Sequence, residues 1–562
     1  MMNDRPKNWP ALPLVEAHAR LTAPGAAFET VPATIRGVTM AVWKHVPTTA
    51  AEAFARVRGH GAREFLVYQN ERFTYDAFSR AALAVAALLT ERGVRKGDRV
   101  ALVMRNLPEW PVIFMGALLV GAIAVPLNAW WTGAELAFAI QDCGARFVFT
   151  DGERLARLAG LPAQVFVTRA TAAPPGVTLL EDVIGSSLHW QNLPQGRMPD
   201  VVLHPEDDAT IFYTSGTTAA PKGALGTHRS LTTNIFAAPF SEARNALRRG
   251  QALKPATKQR VTLLAVPFFH VIGSLSVLLP NMVAGNKLVL MRKFAPEQAL
   301  ALIEQEGVTI AGGVPAVPLA LLEDVRSHDL SSLELVIFGG APSPPSLAGR
   351  IRQTLHAMPG QGWGMTETSA TCTTHSAEDY LHRAASCGPA LPVSRLKIIK
   401  DGVEQSPGSA GELWAFGPNI VKGYWNRPEA TAAAFQGGWL KTGDLAMLDE
   451  EGFCTILDRG EAMLIRGGEN IYCIEVENVL LQHPAVADAA LIGLPHAILG
   501  EVPAALVQTR PGAQVSEGEL REFAAARLAA FKVPTQVRIG PDLLPRNEGG
   551  KLVKSQMRKV FA

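Results

Sequence analysis

The stretch YTSGTTAAPKGA, Tyr213 to Ala224, places four hydroxyls (Thr214, Ser215, Thr217 and Thr218) around Gly216 and then supplies a lysine, Lys222. Backbone N–H groups of a glycine-containing turn can form a nest for an anion. Hydroxyls add donors to it, and an ammonium is a compact charge suited to phosphate. The chemistry this points to is a grip on a polyphosphate. A Ser/Thr/Gly-rich turn can also be no more than a turn; the Pro-Lys-Gly of Pro221 to Gly223 favours the phosphate reading. The loop is not a P-loop. That pattern needs a glycine before the lysine and Ser or Thr after it, and those places hold Pro221 and Gly223. The segment DATIFYTSG begins as a strand, so a hydroxyl-lined flap between strands is expected, not the opening of a helix.

Three further residues could work beside this loop. Glu367 lies in GWGMTET and Asp444 in KTGDLA, while Lys551 follows Gly549 and Gly550. Taken singly, a glutamate is usually a solvated surface group and an aspartate after glycine a turn residue. Two glycines before a lysine let the backbone come close to a ligand. Near the C-terminus Arg546, Lys551, Lys554, Arg558 and Lys559 face only Glu548; a solvated terminal helix explains that charge as well as a phosphate partner does. Cys372, His375, His382 and Cys387 lack the C-x-x-C pairs that organise structural zinc, and read as ordinary loop residues.

The elements that must position these groups follow from periodicity. YDAFSRAALAVAALLTERG has apolar residues at helical spacing and ends on Gly93, and DRVALVM after it reads as a buried strand. ELAFAIQDCG then ARFVFTD, PEQALALIEQEG then VTIAGGV, and LELVIFGGA then SPPSLAGRIRQTL continue the alternation. Helices alternating with strands argue for α/β architecture with much parallel sheet. PVIFMGALLVGAIAVPL is too short to span a membrane and carries Pro126 near its end, so it reads as a buried helix running into a strand. Up to about His45 the chain reads as irregular. From about Arg395 short, turn-rich strands suggest a small β-barrel or meander, and from Ala462 a compact α+β unit follows, small enough to be a separate mobile domain.

Composition excludes more than it assigns. At 562 residues the chain is too long for one core, and its net charge of +2 argues neither for nucleic acid nor for an acidic membrane. Five cysteines without framework spacing, and no apolar stretch at the N-terminus of a secretory kind, read as reduced thiols in the cytoplasm. Peripheral contact with a membrane and a homodimer stay open.

YTSGTTAAPKGA resembles the signature loop of the adenylate-forming superfamily, which holds acyl-CoA synthetases, the adenylation domains of peptide synthetases and firefly luciferase. The superfamily's other motifs follow in order: PFFH ending at His270, GWGMTET from Gly362 to Thr368, KTGDLA from Lys441 to Ala446, LDRGEAMLIRGGENIYCIEVEN from Leu457 to Asn478, and LPRNEGGKLVK ending at Lys554. The resemblance implies an N-terminal AMP-binding domain over 1–458, with a β-rich subdomain at about 395–458. It also implies a hinge at 459–461 and a C-terminal domain over 462–562. ATP, Mg2+ and CoA are the implied cofactor and co-substrates, and no nucleic acid or transmembrane segment is expected.

By this resemblance each motif has a task. Thr214, Ser215, Gly216, Thr217, Thr218 and Lys222 hold the phosphates that leave as pyrophosphate. Glu367 binds magnesium, with Thr366 beside it and Thr218 as a second ligand; magnesium takes few protein carboxylates and completes its shell with phosphate and water. Trp363 stands where the family has Tyr or Phe against the adenine. Gly340, Ala341 and Pro342, with Gly362, Gly364 and Met365, lie along the adenine and acyl sites. Asp444 accepts the ribose hydroxyls, assisted by Arg459. Lys551 bridges the acyl carboxylate and the α-phosphate, then swings away about Glu461. Gly467, Gly468 and Glu469 then line the pantetheine tunnel. His270 gates an acyl pocket for which Val271, Ile272, Gly273, Val314, Pro315 and Met365 are the expected apolar lining.

The implied activity is an acid–CoA ligase acting on a hydrophobic carboxylate, medium- or long-chain fatty or aryl-alkanoic. The alternatives are an acyl-AMP ligase loading a carrier protein, a luciferase-like oxygenase, and a nucleotide-binding homologue that has lost catalysis. An amino-acid substrate would want a carboxylate for its ammonium, and NIFAAPFSE offers Asn234 instead. The chain departs from the family pattern at Glu461, Ala462 and Cys473, the last standing where proline is common; these changes bear on the hinge.

Overall fold

The computed structural model describes residues 9–214, 221–253, 258–323, 325–341, 343–459, 463–466, 469–496, 499–528, 530–541, 544–546 and 552–561. Two eight-stranded sheets form the body. The first runs in the order Gly423–Tyr424, Lys222–Thr227, Asp208–Thr214, Ile123–Pro126, Arg99–Val103, Phe147–Asp151, Gln164–Thr168 and Val177–Leu179. It is parallel from Asp208–Thr214 onward and antiparallel at the Lys222 end. The second runs Thr373–Ser376, Met358–Trp363, Leu335–Gly339, Ile310–Gly313, Val261–Leu264, Lys287–Leu290, Glu64–Tyr68 and Glu71–Thr74, antiparallel only at its two ends.

The alternating pattern in the sequence produced these sheets because their strands are covered on both faces. Helix Tyr75–Glu91 buries most of its apolar positions, and Gly93 just beyond it takes φ 79°, the left-handed turn its sequence predicts. The apolar run after Pro108 is a helix, Glu109–Leu119, buried along its whole length, and then the strand Ile123–Pro126. Each large side chain of that helix contributes about 1.5–3 kcal/mol by leaving water. Burial brings Glu109 inside as well and pushes its carboxyl pKa up, but Arg169 Nε donates to both its oxygens at 3.0 and 3.1 Å. The same guanidinium holds Glu71 at 2.7 and 2.9 Å, so one arginine ties the chain just after the strand Gln164–Thr168 of the first sheet to the hairpin of the second.

The β-rich region is an antiparallel sheet of seven strands, in the order Gly388–Pro389, Phe453–Arg459, Trp439–Leu448, Ala410–Phe416, Arg395–Lys400 and Val403–Glu404, with Phe435–Gln436 beside Trp439–Leu448. Among the described residues its end strands do not pair with each other, so the barrel-like expectation resolves as an open sheet. The C-terminal unit is a small α+β domain. Its strands are Glu469–Tyr472, Met463–Arg466, Gly500–Thr509 and Val486–His496, with Gln536–Ile539 joining in parallel, and helices Cys473–Leu480 and Glu517–Ala525 cover it. No helix of the described residues is long and apolar enough to cross a membrane.

The N-terminal segment corrects the sequence reading. It is not irregular: Leu14–Thr22 is a helix, and Thr30–Ile35 pairs with Val38–Trp43 in a hairpin. The two-residue turn has Arg36 at φ 50° and Gly37 at φ 77°, positive values that usually announce themselves as Asn-Gly. Arginine in the first place hides the turn. His375 is likewise no loop residue. It lies on strand Thr373–Ser376, fully buried, with its Nε2 2.8 Å from the Ser386 carbonyl oxygen.

Candidate active site

The strands flanking the hydroxyl loop form an antiparallel pair in which Thr214 faces Lys222, and Lys222 opens a strand, not a helix. The Thr214 hydroxyl donates to the Lys222 carbonyl at 3.3 Å, closing the neck of the loop. Ser215, Gly216, Thr217 and Thr218 lie outside the described residues. Beneath the neck Tyr213 donates to Asp142 Oδ2 at 2.8 Å, and Arg427 Nη2 donates to Asp142 Oδ1 at 2.6 Å. Burial, then Cys143 and Asp142, raise the Tyr213 pKa, so its phenol stays a donor and the brace holds.

From the second sheet, strand Met358–Trp363 delivers the next group. Trp363 donates its indole N–H to Asp444 Oδ2 at 2.8 Å, reaching the strand Trp439–Leu448 of the third sheet. Arg459 sits opposite Asp444 in the backbone register. After Trp363 the chain turns sharply. A Cβ on Gly364 would lie 1.4 Å from the Ala370 carbonyl oxygen, so only glycine fits. Glu367, 6% exposed, lies in the single 3-10 turn Thr366–Thr368.

Two residues that follow, Ser369 at φ 48° and Ala370 at φ 89°, hold left-handed backbone without being glycine. Such strain persists where neighbours over-determine it. Asn234 Nδ2 donates to Ser369 O at 2.5 Å, and its Oδ1 accepts from Thr371 N at 3.0 Å. Asn419 Nδ2 donates to the Thr368 and Thr371 carbonyls at 3.1 and 3.2 Å. Asn234 therefore spends its amide on the turn behind Glu367. Nothing in the sequence of Asn419 announced this role.

Thr214, Lys222, Gly340, Ala341 and His270 line one continuous cleft of about 3700 Å3. Gly362, Trp363, Gly364, Met365, Thr366, Glu367 and Asp444 line it too. Val271, Ile272, Val314 and Met365 are in its wall as expected. Gly273 and Pro315 are not: Gly273 packs under the preceding turn, where a Cβ would meet the Pro267 carbonyl oxygen at 2.2 Å, and Pro315 caps helix Ala316–Leu321. His270 is exposed and leads into a π-helix, Ile272–Leu278, a rare geometry that recurs at functional sites.

At the cleft's far side lies the start of the C-terminal unit. Asp458 Oδ2 accepts from Cys473 N at 2.8 Å, and Lys554 Nζ donates to Glu477 Oε1 at 3.1 Å. Burial lowers the Lys554 pKa, but Glu477, Cys473 and Asp458 together raise it further, so this lysine is a held cation and not part of a solvated tail. Pro342, Glu461, Gly467, Gly468 and Lys551 lie outside the described residues, and for Glu469 only the strand pairing with Arg466 is described.

These residues fit a magnesium nucleotide. Among the described residues no group of three or more metal-ligating side chains gathers, and Glu367 offers a single carboxylate in the cleft. Magnesium bound with a triphosphate needs no more from a protein than one or two carboxylates. An indole with a carboxylate beside it, a lysine and a buried glutamate lining one cleft are the side-chain types that adenylate formation calls for. Comparison with known proteins agrees. Residues 53–425 match the AMP-binding enzyme family and residues 475–551 the AMP-binding enzyme C-terminal domain. The chain is similar to the 2-succinylbenzoate–CoA ligase of Geobacillus kaustophilus, with 36% identity over 87% of this chain and 93% of that enzyme. It is similar to the long-chain-fatty-acid–CoA ligase FadD13 of Mycobacterium tuberculosis, with 34% identity over 87% and 93%. The o-succinylbenzoate CoA synthetase of Bacillus subtilis with its acyl-adenylate OSB-AMP superposes with a TM-score of 0.76 at 32% identity, covering 90% of this chain and 97% of that one. The same enzyme with ATP and magnesium gives 0.75. The chain belongs to the family of AMP-binding enzymes, in its CoA-ligase branch.

Proposed function

We propose that the protein is an ATP-dependent, AMP-forming acid–CoA ligase for a hydrophobic carboxylic acid, fatty or aryl-alkanoic. A carboxylate is a poor acyl electrophile because its leaving group would be oxide. Its oxygen attacks the α-phosphorus of ATP, the bond to pyrophosphate breaks, and the acyl-adenylate has a good leaving group. The CoA thiol then gives up its proton, its sulfur attacks the acyl carbon, and the bond to AMP breaks. Catalysis of the first step is mostly positioning and charge stabilisation of two anions brought together.

In this reading Lys222 and the hydroxyl loop grip the departing pyrophosphate, and Glu367 holds the magnesium, which when bound offsets phosphate charge. Trp363 stacks the adenine, Asp444 and Arg459 take the ribose, and Gly340, Ala341 and Pro342 border the base and the acyl group. Lys551 stabilises the reacting carboxylate and α-phosphate. After rotation about Glu461, Gly467, Gly468 and Glu469 border the pantetheine. The observation that carries the reading is that Lys222, Trp363 and Asp444, from three different sheets, and Glu367, from a 3-10 turn, open into one cleft. Its apolar wall at Val271, Ile272 and Val314 supports a hydrophobic acid. Five free, buried thiols support a reducing compartment, the cytoplasm.

The test is a panel of fatty, aryl-alkanoic and short acids with ATP and magnesium, with and without CoA. Thioester and AMP are expected only with CoA, for at least one hydrophobic acid. Pyrophosphate exchange with no CoA product from any acid contradicts the ligase and favours a carrier-protein acceptor.

A further inference from the structure

Lys222 reaches the cleft from a strand of the first sheet and Glu367 from the 3-10 turn Thr366–Thr368, and one side chain touches both. Tyr424 lies on the two-residue strand Gly423–Tyr424, which pairs antiparallel with Lys222–Thr227 in the register Ala224 opposite Tyr424. Its phenol O–H donates to Glu367 Oε1 at 2.8 Å. The face of its ring lies 5.2 Å from Lys222 Nζ, within cation–π range. The segment is pinned from both sides. Val421 N donates to the Glu367 carbonyl at 3.0 Å, and Trp425 N donates to the Gly223 carbonyl at 2.7 Å. The Tyr424 N–H is itself taken up by Thr431 Oγ1 at 2.9 Å.

We propose that Tyr424 is a positioning residue that orders Glu367 for the magnesium of ATP and Lys222 for the leaving phosphates. The inference rests on the ligase reading above. A direct Lys222–Glu367 ion pair would order both groups but would spend the lysine's charge on the carboxylate and the carboxylate's on the lysine. A neutral phenol orders both and leaves each charge for its ligand: the hydroxyl takes one carboxylate oxygen, and the ring face holds the ammonium. Glu367 Oε2 has no hydrogen-bond partner among the described residues and remains for the cation. A glutamate has three side-chain torsions to freeze when it takes a ligand, and a bond already made to Oε1 removes most of that entropy cost beforehand. Tyr424 contacts neither reacting atom, so its effect must pass through the two groups it holds.

The test reads ATP binding by calorimetry on the full chain, without any acid, in saturating magnesium and again in EDTA. Tyr424→Phe keeps the ring and removes the hydroxyl. It should cut the affinity gained from magnesium about five- to tenfold and leave affinity in EDTA unchanged. Tyr424→Leu, which removes the ring too, should weaken binding in EDTA as well. A Tyr424→Phe protein whose magnesium gain equals the wild type's overturns the proposal. Glu367→Gln separates this from failure of the underlying reading. If the wild type gains nothing from magnesium, or Glu367→Gln loses none of that gain, the assignment of Glu367 itself falls and Tyr424 with it.

Discussion

The indole of Trp363 donates its N–H to Oδ2 of Asp444 at 2.8 Å, joining the end of a strand in the second sheet to a strand of the third. Asp444 is itself fixed from behind, its backbone N–H donating to Thr442 Oγ1 at 3.1 Å, and Thr442 donates to the Leu413 carbonyl at 2.7 Å. A phenylalanine or tyrosine in the place of Trp363 would offer a ring face but not this donor at this point. The residue that would stack the base also aims the carboxylate that would take the ribose.

Trp363→Phe should therefore keep a ring face and lose the orientation of Asp444. A hydrogen bond to a charged group contributes about 1.5–3 kcal/mol, so KM for ATP should rise about tenfold or more, while kcat at saturating ATP stays within a few-fold of wild type. Discrimination between ATP and 2′-deoxy-ATP should narrow in the same variant. Unchanged KM and unchanged discrimination would show that the bond orients nothing.

Lys551 should separate the two half-reactions. Lys551→Ala is expected to reduce adenylation at least a hundredfold, about what one stabilising donor contributes, and to spare thioester formation from preformed acyl-adenylate. Rapid-quench measurement of each step tests this. Equal loss in both steps contradicts a lysine that leaves the site before CoA enters.

Cys473 makes a bond that proline, common at this place in the family, could not. It is the first residue of helix Cys473–Leu480, and its N–H donates to Asp458 Oδ2 at 2.8 Å, across the segment proposed as the hinge. Proline suits a first helical position, so Cys473→Pro tests the N–H with little cost to the helix. The variant should unfold about 1–2 kcal/mol more easily and exchange amide hydrogens faster along Cys473–Leu480. Identical exchange would mean the tie to Asp458 carries no weight.

Two buried histidines, His228 and His375, and the half-buried His18 give the protein a predictable acid lability. Burial, then Arg244 and Arg248, lowers the pKa of His18 to about 3. Burial lowers His228 to about 4, and burial, with Arg244 and Arg383, lowers His375 to about 3. The native state keeps all three neutral while the unfolded chain protonates them below about pH 6.5. The unfolded state then binds more protons, so stability is full above pH 6.5 and is lost as pH falls toward 4 and then 3. The slope is about 1.4 kcal/mol per pH unit for each proton taken up. Urea midpoints between pH 7.5 and 5 should fall accordingly, and His375→Gln should flatten that fall. Midpoints independent of pH would show that these rings are not held neutral.

Much of the fold was legible because its signals are local. Helix Tyr75–Glu91 and strand Arg99–Val103 repeat their apolar residues at their own periods, and the Pro221-to-Gly223 spelling excluded a P-loop before any strand was seen. What could not be read depends on approach in space. Tyr424 meets Glu367 across 57 positions, and Asn234 meets Ser369 across 135, with no spacing in the sequence to announce either contact. Gly273 and Pro315 were expected in the acyl wall because their neighbours are apolar, but one seals a turn and the other starts a helix. Composition shows that a residue is apolar, not which side of it faces a cleft.

The central claim is that the acid is activated by its own oxygen attacking the α-phosphorus of ATP, and the fate of that oxygen tests it most directly. A hydrophobic acid labelled with 18O in its carboxylate, turned over with ATP, magnesium and CoA, should yield AMP carrying one heavy oxygen and a thioester keeping the other. Mass spectrometry of both products reads the outcome. Heavy oxygen in inorganic phosphate, with ADP as the nucleotide product, or AMP free of label, would contradict the account.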